Sequence, residues 1–461
     1  MSPEEPHPGS PSPAAGVDPA QAPPSRDRYP DALRAGALLV VVFGHWIATL
    51  PRLEGGRMVD AEHLLTVWDG AGVLSWGLQV VPLFVFVSAA VSADGTARRI
   101  REGQRHLLWW GGRALGLARP TVTFFAVLAV VALTSYRSGG GRLLDHFDTS
   151  FTVHLWFLVM LLAVQAVLPL SVRADDRWGL RAVAGLLIVA VVVDLARAGI
   201  TSPSQVVELG ALVTGRGGGI GWVNALVVWL LPQQLGIAWR RGRLGGLRDG
   251  IGLGALGLVW LGASVASGYP VAMVGGDLAG NSNVLPPTLA LVGVMWLQAG
   301  AAVAFEGPGR RALARRPVGK AVAILGALGM PLYLWHKLAE LPAAFLGETI
   351  GAPIDAGVPG QAGFWVGRAT WLGLCLVSVT PIIIAVVWFE TRRTKQVPAT
   401  TSTPAVVIGG VALLAAIVTA MAVGTDPGGL VGLPLVLLAS YLLRRRGSTA
   451  GLSPIPPRTA R

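Results

Sequence analysis

The chain has 461 residues, of which 52% are hydrophobic and only 13% charged, and its formal net charge is +12. Soluble globular proteins carry about 25% charged residues, so this composition excludes a string of soluble domains and points to an all-α, polytopic membrane protein. The single cysteine, Cys375, excludes a disulfide framework and a cysteine metal cluster, and no metal is expected.

The positive charge does not form one patch, so no nucleic acid is expected as a partner; basic residues recur as short clusters between apolar runs. Residues 1–28 are rich in Pro, Ser and Ala, lack an apolar signal core and read as a disordered cytoplasmic tail. Twelve apolar stretches long enough for a bilayer follow, at about 33–50, 71–93, 120–136, 152–172, 181–197, 220–239, 249–267, 285–305, 320–342, 364–389, 404–423 and 429–443. Arginine clusters precede span 1 and fall in every even-numbered connection, as at Arg98, Arg99, Arg101 and Arg105, at Arg240, Arg241 and Arg243, and at Arg310, Arg311, Arg315 and Arg316. That alternation predicts cytoplasmic termini in a multi-pass protein of the cell membrane. Residues 198–219, with Glu208 in a run too short to span, read as an outer-face or re-entrant segment. The domain reading is a transmembrane core at 29–395, an added hairpin at 396–446 and a cytoplasmic tail at 447–461.

The first span carries the most unusual residues. Asp31 and Arg34 open it, and His45 lies in its apolar part. Ionisable groups at membrane depth are functional hypotheses by default. Arg34 and His45 are eleven residues apart, roughly three helical turns, so they share a face about 16 Å apart along the axis. Neutral imidazole suits proton abstraction from a hydroxyl; hydrogen bonding to a neighbouring helix is the simpler alternative. Arg34 suits a phosphate or carboxylate and equally suits a membrane-interface anchor. Asp31 would orient or neutralise it.

Around this pair the chain resembles the membrane-bound acyltransferase 3 family, whose hallmark is a basic residue and a histidine in the first helix with ten residues between them. Arg34 and His45 match that spacing. Further matches follow in order: Pro82-Leu-Phe84-Val-Phe86-Val-Ser88, Arg113-Ala-Leu-Gly-Leu-Ala-Arg119-Pro120, His154-Leu-Trp156-Phe157-Leu158, Pro331-Leu-Tyr333-Leu-Trp-His336 and Trp388-Phe389-Glu390. The resemblance implies transfer of an acyl group, acetyl foremost, from cytoplasmic acyl-CoA to a hydroxyl of a glycan, glycolipid or related acceptor. It makes His45 a general base or an acyl carrier, with Arg34 and Asp31 beside it. CoA is a polyanion, so Arg98, Arg99, Arg113 and Arg119 are expected donor contacts. Ser88, His154, Trp156, Tyr333, His336, Glu390 and Asn283 are expected supporting residues. The competing reading is a transporter or lipid-linked precursor flippase with a proton relay; no two-halves repeat supports it.

Overall fold

Proline placement sets where several helices begin. Pro30, Pro82, Pro317 and Pro404 each stand in the first two helical positions, where the missing N–H needs no partner and φ is already set. The computed structural model describes residues 27–68, 70–137, 146–147, 150–199, 218–274, 282–355, 357, 359–393 and 402–444. The N-terminal tail up to residue 26, most of 198–219 and the tail at 447–461 lie outside the described residues.

Helix α1 (Tyr29–Ala48) runs into an antiparallel hairpin, β1 (Thr49–Glu54) and β2 (Arg57–His63), the only sheet among the described residues. Gly55 and Gly56, both at positive φ, make its two-residue turn. The short helices α2 (Leu64–Val67) and α3 (Ala71–Leu78) lead to α4 (Val81–Arg101). Next come α5 (His106–Arg137), α6 (Ser150–Val153), α7 (Trp156–Trp178) and α8 (Arg181–Gly199). After a 3₁₀ turn at Gly218–Val223 follow α9 (Asn224–Arg240), α10 (Gly246–Ala266), α11 (Leu289–Ala304) and α12 (Glu306–Leu313). The chain continues through α13 (Arg316–Trp335), α14 (Glu340–Thr349), α15 (Ala362–Arg393), α16 (Thr403–Val423) and α17 (Thr425–Arg444).

Nine helices among the described residues are long and apolar enough to cross a membrane, and the pair α11 and α12, bent by 55°, makes a tenth. The protein is an all-α, multi-pass membrane protein. Helices α8 and α17 occupy the other two predicted spans and are not among these ten. Ile384, Trp365, Val377 and Val259 are each more than half exposed, as lipid-facing side chains are.

Three local differences from expectation matter for function. The basic stretch ahead of residue 120, expected as a loop, is the first part of α5, with Pro120 inside the helix. Neighbouring helices can satisfy the backbone group a buried proline frees. The predicted span at 320–342 breaks at Trp335 and resumes at Glu340; Pro331 weakens its last turns and Pro342 restarts the next helix. The connection 49–63 folds as a hairpin, which no strong alternation announced.

Helix α1 lies between two apolar clusters. Leu38, Val42 and Trp46 join a core built with α5, α7, α13, α15, α16 and α17. Tyr29 joins a second core built with α4, α7, α9 and α11. Its polar residues are thereby held at the seam between two packed halves.

Candidate active site

His45 stands in the last turn of α1. Its Nδ1 lies 2.7 Å from Nε2 of His336, and the two rings stack at 5.0 Å and 16°. The break after Trp335 makes His336 the C-cap of α13 and turns its ring back on the helix. His336 Nδ1 meets the carbonyls of Tyr333 at 2.8 Å and Leu332 at 3.1 Å. A carbonyl only accepts, so His336 Nδ1 carries a proton. With neutral rings its Nε2 then accepts, and His45 Nδ1 must donate. This assignment rests on the hydrogen-bond network. It leaves an unprotonated lone pair on His45 Nε2, which makes no hydrogen bond among the described residues. His336 is fully buried, while His45 keeps accessible surface.

His154 and Tyr333 complete the cluster. The His154 ring lies 5.1 Å from His336 and 5.3 Å from Tyr333, and the Tyr333 hydroxyl donates to the His154 carbonyl. His154 is buried, yet among the described residues neither ring nitrogen has a hydrogen-bond partner within normal geometry.

A second, charged layer backs this cluster. Lys337 donates to both carboxylate oxygens of Glu340 at 2.7 Å and to Thr49 Oγ1 at 3.0 Å. All three side chains are buried. Arg368 of α15 donates to the Thr49 carbonyl, and Trp46 Nε1 donates to the His336 carbonyl at 2.9 Å. Trp371 Nε1 donates to the Trp46 carbonyl at 3.0 Å. The end of α1, where His45 sits, is thus tied to α13, α14 and α15. Sequence reading missed Lys337, Glu340 and Arg368. Lys337 and Glu340, three apart in an apolar stretch right after His336, were the available signal.

The other end of α1 is arginine-rich. Arg34 pairs with Asp31. Arg113 lies in electrostatic range of both Arg34 and Arg99. Arg99 stacks over Trp109 at 4.5 Å, and Arg113 approaches the same ring at 5.6 Å. Arg99 also donates to Thr96 Oγ1 at 2.8 Å, and its buried Nε has no partner among the described residues. Helices α1, α4 and α5 therefore converge three guanidinium groups, with Asp31 as the neighbouring acid. Arg98 is exposed beside Arg99, and Arg119 is half-buried two turns further along α5. Glu390 lies near the end of α15, roughly 28 Å along the helix from Trp371, with one buried oxygen unpartnered among the described residues.

Besides Glu390, three expected supporting residues are not at the histidine cluster. Ser88 lines a small gap with Gln165 and Gln233. Trp156 packs on Trp229 at 5.6 Å. Asn283 donates to the carbonyls of Pro270 at 2.7 Å and Ala272 at 2.9 Å and accepts from Thr288 Oγ1 at 2.7 Å, so its amide pins a loop. Asp194, another buried acid, accepts from Tyr269 at 2.9 Å and from the Leu289 N–H at 2.8 Å, capping the start of α11. Among the described residues, no group of three or more His, Cys, Asp or Glu is placed to hold a metal ion.

A multi-pass membrane protein with a buried histidine cluster at one end of α1 and arginines at the other is the class the fold defines. Residues 27–390 match the model of the acyltransferase domain of the acyltransferase 3 family, and the chain belongs to that family. No curated protein and no solved structure matches it. The protein is therefore a membrane acyltransferase.

Proposed function

We propose that this acyltransferase moves an acyl group, acetyl foremost, from cytoplasmic acyl-CoA to a hydroxyl of a glycan, glycolipid or related acceptor at the cell membrane. The termini and the arginine end of α1 face the cytoplasm on this reading, in keeping with the charge alternation of the loops. The observation that carries it is the chain from His45 Nδ1 through His336 to the Tyr333 and Leu332 carbonyls, which leaves a lone pair on His45 Nε2.

In the proposed step, His45 Nε2 takes the proton of the acceptor hydroxyl as its oxygen attacks the thioester carbonyl. A tetrahedral intermediate forms and collapses, the carbon–sulfur bond breaks, and the thiolate of CoA leaves with the proton returned by His45. Arg34, Arg99 and Arg113 would hold donor phosphates, for which the guanidinium fork is suited. Their end of α1 lies roughly 16 Å along the helix from His45, a gap an extended donor arm bridges.

The test uses the purified protein, labelled acetyl-CoA and a simple hydroxyl acceptor such as a methyl glycoside. His45→Ala, expressed and folded like the parent, is expected to lose acyl transfer by about 10²–10⁴-fold, the usual worth of a positioned base. Transfer at the parental rate would overturn the assignment.

A further inference from the structure

The hairpin after α1 holds a fourth histidine. In its register Thr49 faces His63, at the end where the strands leave the helix. Thr49 follows His45 by one turn, and its hydroxyl lies 3.1 Å from the His45 carbonyl. Strand pairing therefore returns the chain to the helix end that carries the base and sets His63 there. His63 is in electrostatic range of both His45 and Lys337.

The protonation of His63 is fixed by one contact. The Leu65 N–H donates to its Nδ1 at 3.2 Å, so Nδ1 holds a lone pair. The neutral ring then carries its proton on Nε2. Surrounding protein, with the Lys337 ammonium as a second cause, pushes this imidazole down to about 4, which keeps it neutral at physiological pH. The ring nevertheless retains exposed surface. This end of α1 thus carries two imidazoles of opposite hydrogen-bonding sense: a lone pair on His45 Nε2 and an N–H on His63 Nε2. The arginines lie at the far end of α1, so what meets His63 comes from the acceptor side.

We infer that His63 is an acceptor-binding residue of the acyl-transfer site, its Nε2–H donating a hydrogen bond to an oxygen of a polyhydroxylated acceptor whose reacting hydroxyl faces His45. This rests on the reading of His45 as the base. A sugar fits both partners, because one hydroxyl can give its proton to the lone pair while a neighbouring oxygen accepts from the N–H. No covalent step involves His63.

The simpler role for His63 is to cap α2, and two substitutions separate the roles. Asparagine is a good cap but too short to place an N–H where the imidazole Nε2 stands, whereas glutamine carries an N–H at about that position and caps poorly. Transfer from acetyl-CoA to methyl α-glucopyranoside is measured with each variant, with KM determined separately for donor and acceptor. Expected for His63→Asn is an acceptor KM raised at least tenfold with the acetyl-CoA KM within twofold of the parent. His63→Gln is expected to recover most of that loss. The converse pattern, rescue by Asn and not by Gln, assigns a capping role only and overturns the proposal, as does an acceptor KM unchanged in both variants. An inactive His45→Ala beside a normal His63→Asn would leave the base assignment standing while this inference fails.

Discussion

An imidazole is chemically ambiguous until its surroundings choose which nitrogen bears the proton. Here the choice passes along a chain. The carbonyls of Tyr333 and Leu332 choose for His336, and His336 chooses for His45. His336 is thus a positioning residue. His336→Phe keeps a buried ring but removes the acceptor that holds His45 Nδ1–H. It is expected to lower kcat by about 10²–10⁴-fold, the scale of a mispositioned base, with the acetyl-CoA KM little changed. Equal kcat in variant and parent would sink the relay. Lys337 and Glu340 act on the same pair less directly. Their buried ion pair holds the Thr49 hydroxyl one turn beyond His45, and removing one partner of such a pair leaves the other charge buried and uncompensated.

At the scale of elements, α1 is the spine: one face carries Arg34 and His45, and both ends are tied into other helices. The break between α13 and α14 is what frees His336 to turn toward it. The C-terminal hairpin of α16 and α17 lies beyond the family match and packs against α5. Close approach there demands glycine. A Cβ on Gly432 would stand 2.1 Å from the Phe125 ring, and one on Gly410 would stand 2.5 Å from Trp110. Gly432→Leu is therefore expected to destabilise the protein by about 1–3 kcal/mol, as overpacking typically does. The readout is a lowered unfolding midpoint in detergent; an unchanged midpoint would mean that the hairpin does not bind α5 in this way. Helix α5 also carries Trp109 and Arg113, so this packing braces the arginine end of the site.

For the whole molecule, the two ends of α1 divide the work. Cations gather at one end, and imidazoles with a buried ion pair at the other. On the proposed reading, donor and acceptor enter from opposite faces and meet at His45. Arg113→Ala is then expected to raise the acetyl-CoA KM by about tenfold or more, the loss of one charge-assisted hydrogen bond worth roughly 1.5–3 kcal/mol. The acceptor KM should stay put. An unchanged donor KM would reduce Arg113 to a determinant of topology.

Much of this was legible in the chain itself. The apolar stretches, the charge alternation and the motif order are local or statistical features, and the shared face of Arg34 and His45 follows from helix geometry alone. The motif residues Tyr333, His336 and His154 were legible as candidates, but their assembly was not. Which side chains from other helices meet His45 depends on packing angles and on the break after Trp335. Ser88 and Asn283 have suitable chemistry, yet their neighbours direct them elsewhere. Lys337 and Glu340 left a signal beside His336, but their place at the site, like that of Arg368 and His63, became visible only in three dimensions. Their partners are far off in sequence, as Lys337 and Thr49 are, or are brought near by a short hairpin whose register no local period encodes. Sequence alone determined a membrane-spanning helix with a cation and a histidine on one face. Only the tertiary structure decided which nitrogen of that histidine is free, because the deciding proton sits on another helix.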